Sequence, residues 1–224
     1  MTMAGTTNQT VITLAGSPTG TTIPVAYNTM PGNQPAEYGN TLFIWQAGNA
    51  VPWNSPPEGK QSISSNSQDG SDTFRDLSVT TLSYIIGYAV GPDKTQVCAS
   101  VFVPAVGGSD AAQIQKAIDI ALAQGNQASV AVQAFPGATS VQVNYTTLDG
   151  YPPGANNNWV GIWERGTVPL SGADPIQKVS ITSNSSTGST GFSNIRLLRG
   201  HTYSVGYFMG PKQTMLAASY TFTV

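Results

Sequence analysis

Apolar and polar residues alternate along this chain in short bursts, each closed by Gly, Pro or Asn. The first half carries VITLAG (11–16), TTIPVAY (21–27), TLFIWQ (41–46), QSISS (61–65), YIIGYAV (84–90) and VCASVFV (97–103). The second half carries SVAVQAF (129–135), TSVQVNY (139–145), WVGIWE (159–164), VSITS (179–183), YSVGYFM (203–209) and LAASYTFTV (216–224). A period of two over four to nine residues, rich in β-branched and aromatic side chains, predicts strands. One stretch departs from that period. In SDAAQIQKAIDIALAQG (109–125), Ile114, Ala117, Ile118 and Ala121 recur at helical spacing. Ser109 or Asp110 can cap its start and Gly125 can end it, so one amphipathic helix is expected there.

The two series of strands are the same series. At an offset of 118, Asn8-Gln9 meets Asn126-Gln127, Tyr27 meets Tyr145, Ile44-Trp45 meets Ile162-Trp163, and KQSISSNS (60–67) meets KVSITSNS (178–185). One inserted residue then shifts the offset to 119, where Gly87-Tyr88 meets Gly206-Tyr207 and Gly91-Pro92 meets Gly210-Pro211. Self-similarity over this length marks each copy as a structural unit. The expected division is 1–104 for the first copy, 105–125 for the linker with its helix, and 126–224 for the second.

About seven short strands per copy, with turn signals between them, predict an all-β chain. The expected architecture is a tandem duplication of an immunoglobulin-like or fibronectin-III-like β-sandwich joined by one amphipathic α-helix. Each sandwich is expected to close its own interior, with Leu42, Ile44, Val160 and Ile162 on the core face and Trp45 and Trp163 facing the other way. LLRGHTYSV (197–205) resembles the turn before strand F of fibronectin-III-type domains. The resemblance implies that the Tyr203 hydroxyl bonds back to the backbone, with Tyr84 in the equivalent place. The stretch from Tyr145 through NWVGIWE (158–164) resembles SKICH domains and the N-terminal sandwiches of purple acid phosphatases. That likeness implies a non-catalytic fold, since no metal-ligand motif of the phosphatase catalytic domain is present.

Composition narrows the function classes. Only 9% of residues are charged, and the formal net charge is −2. The nine Lys and Arg are scattered rather than gathered in a stripe, which disfavours a nucleic-acid partner and a membrane surface. The longest apolar runs fall short of a membrane span, so no transmembrane segment is expected. MTMAGTTNQT lacks the basic and apolar regions of a signal peptide, so a soluble protein is expected, cytoplasmic or released by a route without a signal. Cys98 is the single cysteine and reads as a buried strand residue.

Catalytic chemistry has few candidates. His201 is the single histidine and falls in the corner before a strand, where a nucleophile–base pair has no cleft to work in. Asp69, Asp72 and Asp76 have no acidic counterparts around GSTG (188–191) in the second copy, so a calcium loop is not expected. GxGxxG and P-loop patterns are absent, and no metal or cofactor is expected. What remains is aromatic and amide chemistry in loops. AEYGN (36–40), VPW (51–53), GYPPG (150–154) and GANNNW (154–159) place Tyr38, Asn40, Trp53, Tyr151, Asn157 and Trp159 before or beside the Trp strands. An exposed ring can stack on a sugar's apolar face while amides bond its hydroxyls. The expectation is therefore a non-enzymatic binding protein with two similar modules, lectin-like toward carbohydrate. The alternative is a self-associating structural or host-directed toxin component whose partner is another protein or a second copy in a homo-oligomer.

Overall fold

In the computed structural model, residues 5–105 and 127–224 are described, with Ala112, Lys116 and Asp119 between them. The helix expected over 109–125 lies outside the described residues apart from those three positions.

The first copy supplies β1 (Thr6–Gln9), β2 (Val11–Leu14), β3 (Ile23–Asn28), β4 (Thr41–Gln46), β5 (Gly59–Ser62), β6 (Asp69–Phe74), β7 (Tyr84–Ala89) and β8 (Val97–Val103). The second supplies β9 (Gln127–Ser129), β10 (Ala131–Pro136), β11 (Ser140–Thr146), β12 (Trp159–Trp163), β13 (Gln177–Ser180), β14 (Thr187–Ser193), β15 (Thr202–Phe208) and β16 (Leu216–Thr223). Two three-stranded sheets run β2-β3-β6 and β10-β11-β14, and two five-stranded sheets run β5-β4-β7-β8-β9 and β13-β12-β15-β16-β1. Strand order is the same in both copies, and it is that of an immunoglobulin-like β-sandwich. Alternation explains the layers. In β3, Ile23, Val25 and Tyr27 are buried while Pro24 and Ala26 are partly open, and β11 repeats the pattern at Val141, Val143 and Tyr145. The interior strands β4, β7, β12 and β15 are buried on both faces and read as near-continuous apolar runs.

The fifth strand of each larger sheet comes from the other copy. β1 pairs antiparallel with β16, Asn8 opposite Ser219. β9 pairs antiparallel with β8, Ala128 opposite Ser100. A single residue, Thr10 or Val130, separates each of these strands from the next. Both residues keep the ladder going, since Thr10 N–H donates to Ala217 O at 3.0 Å and Val130 N–H donates to Cys98 O at 2.8 Å. Segments 6–14 and 127–136 are thus extended bridges, each half in one sandwich and half in the other. The sheets therefore do not follow the expected boundaries 1–104 and 126–224. Nor do the interiors close separately. One buried cluster contains Ile12, Leu42, Ile44 and Cys98 together with Val132, Val160, Ile162 and Phe222.

Register corrects the alignment at two loops. Ile12 opposes Tyr27 and Val132 opposes Tyr145, so the intervening hairpin is two residues longer in the first copy. The structural counterparts of Asn8-Gln9 are then Ala128-Ser129, not Asn126-Gln127. In the loop after the Trp strand, Val51 and Val168 fill the same place, which sets Trp53 against Leu170. The two corners form as their resemblance implied. Leu198 N–H donates to the Tyr203 hydroxyl at 2.8 Å, and Ser78 N–H donates to the Tyr84 hydroxyl at 3.1 Å.

Candidate ligand site at the seam

The outer face of each five-stranded sheet carries the tryptophans, and each is covered by a loop of the opposite copy. Met30 of the first copy sits among Trp159, Trp163, Val168, Leu170 and Phe208. Leu148 of the second copy sits among Phe43, Trp45, Val51 and Ile85. Two residues after each of these plugs the chain turns through a glycine with positive φ, Gly32 at 80° and Gly150 at 68°. That backbone conformation favours glycine and reverses the loop so that the plug points at its partner. The indoles are satisfied as well as covered. Trp45 Nε1–H donates to Ser55 O at 3.4 Å, Trp163 Nε1–H to Ala173 O at 3.0 Å and Trp159 Nε1–H to Gly210 O at 2.8 Å.

This packing takes three of the six expected ligand contacts out of reach. Trp159 is 3% exposed, stacked on Phe208 with centroids 3.8 Å apart, and the Lys178 ammonium lies 3.9 Å from its centroid. Asn40 is fully buried, its Oδ1 accepting from Asn33 Nδ2 at 2.7 Å and from the Tyr88 hydroxyl at 2.8 Å. Tyr151 is also fully buried; its hydroxyl donates to Thr95 O at 2.7 Å and bonds Asn158. Burial holds the Tyr151 phenol well above the usual tyrosine range. Tyr38 is half-buried against the Trp159 cluster, and Asn157 is exposed in a turn with φ of 54°. Of the expected contacts in and beside the loops at 33–40 and 151–158, Tyr38 and Asn157 thus keep accessible surface, and Asn40, Tyr151 and Trp159 do not. Asn40 and Asn158 instead pin each loop from within, because an amide in an apolar interior must find its bonds there.

Trp53 is the exception. Its ring packs on Tyr151 across the seam, centroids 4.8 Å apart at 59°, and its Nε1–H donates to Asp149 O at 2.8 Å. The indole remains half-exposed. It lines an open concavity of about 570 Å³ with Val51, Pro52, Asn54, Gly150 and Pro152. Asn54 is exposed beside it, and Lys94 Nζ reaches the same loop by donating to Ser55 O at 2.8 Å. The lining combines an indole, a valine, two prolines, an asparagine and a serine, suited to a neutral ligand with both an apolar face and hydroxyls. The strand periodicity could not have placed Tyr151 at this seam, since its partners Trp53 and Thr95 lie far away in sequence.

Elsewhere, His201 Nδ1 bonds the Glu164 carboxylate, and both side chains are exposed. Among the described residues no cluster of three or more His, Cys, Asp or Glu could hold a metal ion, and no helix is long and apolar enough to cross a membrane. Cys98 is buried and free, its thiol pushed up to about 12 by desolvation.

Neither a protein-family model nor a curated protein matches the chain. Among solved structures, it is similar to the two tandem V-type regions of VCBP3, a v-region-containing chitin binding protein. That match has 9% identity, covers 95% of this chain and 98% of that one, and has a TM-score of 0.28. The immunoglobulin-like assignment rests on strand order.

Proposed function

We propose that the chain is a binding protein without catalytic activity, and that it takes a neutral carbohydrate at the seam around Trp53. One observation carries this reading. Of the four tryptophans, Trp45, Trp159 and Trp163 are at most 3% exposed, while Trp53 stays half-open on a concavity. A large ring kept at the surface beside an amide is the arrangement that stacks on a pyranose and bonds its hydroxyls. The site is single, because Leu170 stands in the corresponding place of the second copy. Self-association through sheet edges is less favoured, since the edge strand β5 carries Lys60 and the edge strand β6 carries Asp72.

The experiment is a glycan array followed by titration of Trp fluorescence with whichever oligosaccharide binds. The Trp53→Leu variant copies the second copy and keeps the seam apolar. It is expected to weaken binding by about tenfold or more, in line with about 1–2 kcal/mol for a lost ring contact. An array with no binder, or unchanged affinity in Trp53→Leu, would overturn the proposal.

A further inference from the structure

We infer that the groove between edge strands β5 and β6 of the first copy is a second, separate binding site, and that it selects a small zwitterion carrying both an ammonium and a carboxylate. The groove is open, about 580 Å³, and its lining includes Lys60, Gln61, Asp72, Arg75 and Asp76. In a chain with 9% charged residues, two cations and two carboxylates converge on one concavity. No ion pair joins these four, and Asp72 Oδ1 accepts only from the neighbouring Thr73 N–H, at 2.7 Å. The floor is prepared as well. Gln61 reaches from β5 to β6, Nε2–H donating to Thr73 O at 3.2 Å, while its Oε1 is buried and has no partner among the described residues. That bond ties the two edge strands together beneath the charged groups, and the enclosed Oε1 lies out of a ligand's reach.

The second copy shows that the fold does not need these groups. With the same strand order, it has Val179, Thr190, Ser193 and Asn194 where the first has Gln61, Asp72, Arg75 and Asp76. Its remaining cation, Lys178, is drawn over the Trp159 ring instead. Asp76 and Asn194 share the same left-handed turn, φ of 60° and 56°, so the backbone there is common and only the charge differs. On this arrangement Arg75 and Lys60 take the carboxylate, Arg75 through its planar fork. Asp72 and Asp76 take the ammonium.

The test is an NMR titration with ω-amino acids from glycine to 6-aminohexanoate, using acetate and methylammonium as single-charge probes. At least one ω-amino acid is expected to shift the amides of residues 59–62 and 71–76 saturably, with a dissociation constant of about 1 mM or tighter. Acetate and methylammonium should bind about tenfold more weakly or less, since each satisfies one sign. Asp72→Thr and Arg75→Ser, which copy the second copy, should each weaken binding about tenfold, and Trp53→Leu should not change it. Arg75 is exposed, so its replacement removes little packing. Absence of a saturable shift, equal binding of the single-charge probes, or unchanged affinity in both groove variants would overturn the inference.

Discussion

The two copies solve the same packing problem with different side chains. On the outer face of the larger sheet the first copy uses Phe43, Trp45 and Ile85, with Thr41 and Ala89 flanking them. The second uses Trp159, Trp163 and Phe208, with Gly161 and Ser204 in the places of Phe43 and Ile85. Gly161 makes this exchange possible, since a Cβ there would lie 2.6–2.9 Å from the Trp163 and Trp159 rings. Volume is moved along the face rather than added to it, which is the change a close-packed interior tolerates best. The polar pins diverge likewise. Asn33 bonds Asn40 in the first copy, and Tyr151 bonds Asn158 at the same place in the second. What stays equal is the reciprocal geometry of bridge strands, plugs and glycine turns. The seam is therefore the part that binds the copies together, and the faces and loops are free to diverge.

If the plugs are equivalent, they should weigh alike. Met30→Ala and Leu148→Ala each remove a buried side chain at 1% and 3% exposure from the opposite copy's Trp cluster. Each is expected to cost about 2–5 kcal/mol in chemical denaturation. The two losses should appear in one cooperative transition, because the bridges and the core join both copies. A variant that melts only one half, or a plug whose loss costs under about 1 kcal/mol, would break the equivalence.

A smaller effect separates Cys98 from its counterpart Ala217. Burial raises the Cys98 thiol to about 12 and holds Tyr88, Tyr151 and Tyr207 above the usual phenol range. In the unfolded chain these groups ionise from about pH 9 to 10, so the unfolded state then binds fewer protons than the folded one. Stability present below that range is lost as pH rises, by about 1.4 kcal/mol per pH unit for each group, and Cys98 contributes until about pH 12. Urea midpoints measured from about pH 8 to 11 should fall, and Cys98→Ala should flatten the fall by one group's share. A flat profile would place these groups in water.

The strands, the duplication and the two tyrosine corners were legible because each rests on local pattern: alternation, Gly and Pro punctuation, or a six-residue spacing. The crossing of β1 and β9 was not. Thr6–Gln9 reads the same whether it pairs within its copy or across, since backbone pairing leaves no mark on polar side chains. The core assignment of Leu42, Ile44, Val160 and Ile162 followed from period two, and they are buried at 0–1%. The candidate site was legible only at Trp53. Asn40 and Asn158 look like turn residues in sequence, and only the loop's closure onto Tyr88 and Tyr151 makes them internal pins. Asp72 and Asp76 stand in sequence only as acids without counterparts in the second copy, and the groove they line with Lys60 and Gln61 forms only where β5 and β6 come together.

The finest distinction between the copies concerns one hydroxyl. Tyr88 and Tyr207 are equivalent, fully buried, and each packs on a second tyrosine, Tyr27 at 5.1 Å and Tyr145 at 5.5 Å. The Tyr88 hydroxyl donates to Asn40 Oδ1. The Tyr207 hydroxyl has no partner among the described residues, and Asn158 bonds Tyr151 instead. Removing the bonded hydroxyl takes away one of the two bonds that Asn40 Oδ1 accepts, whereas removing an unbonded one relieves a desolvated group. Tyr88→Phe should therefore lower stability by about 1–2 kcal/mol, and Tyr207→Phe should leave it unchanged or raise it slightly. Equal losses in the two variants would mean that the second copy satisfies Tyr207 as the first satisfies Tyr88, and that the pins have diverged less than their residues suggest.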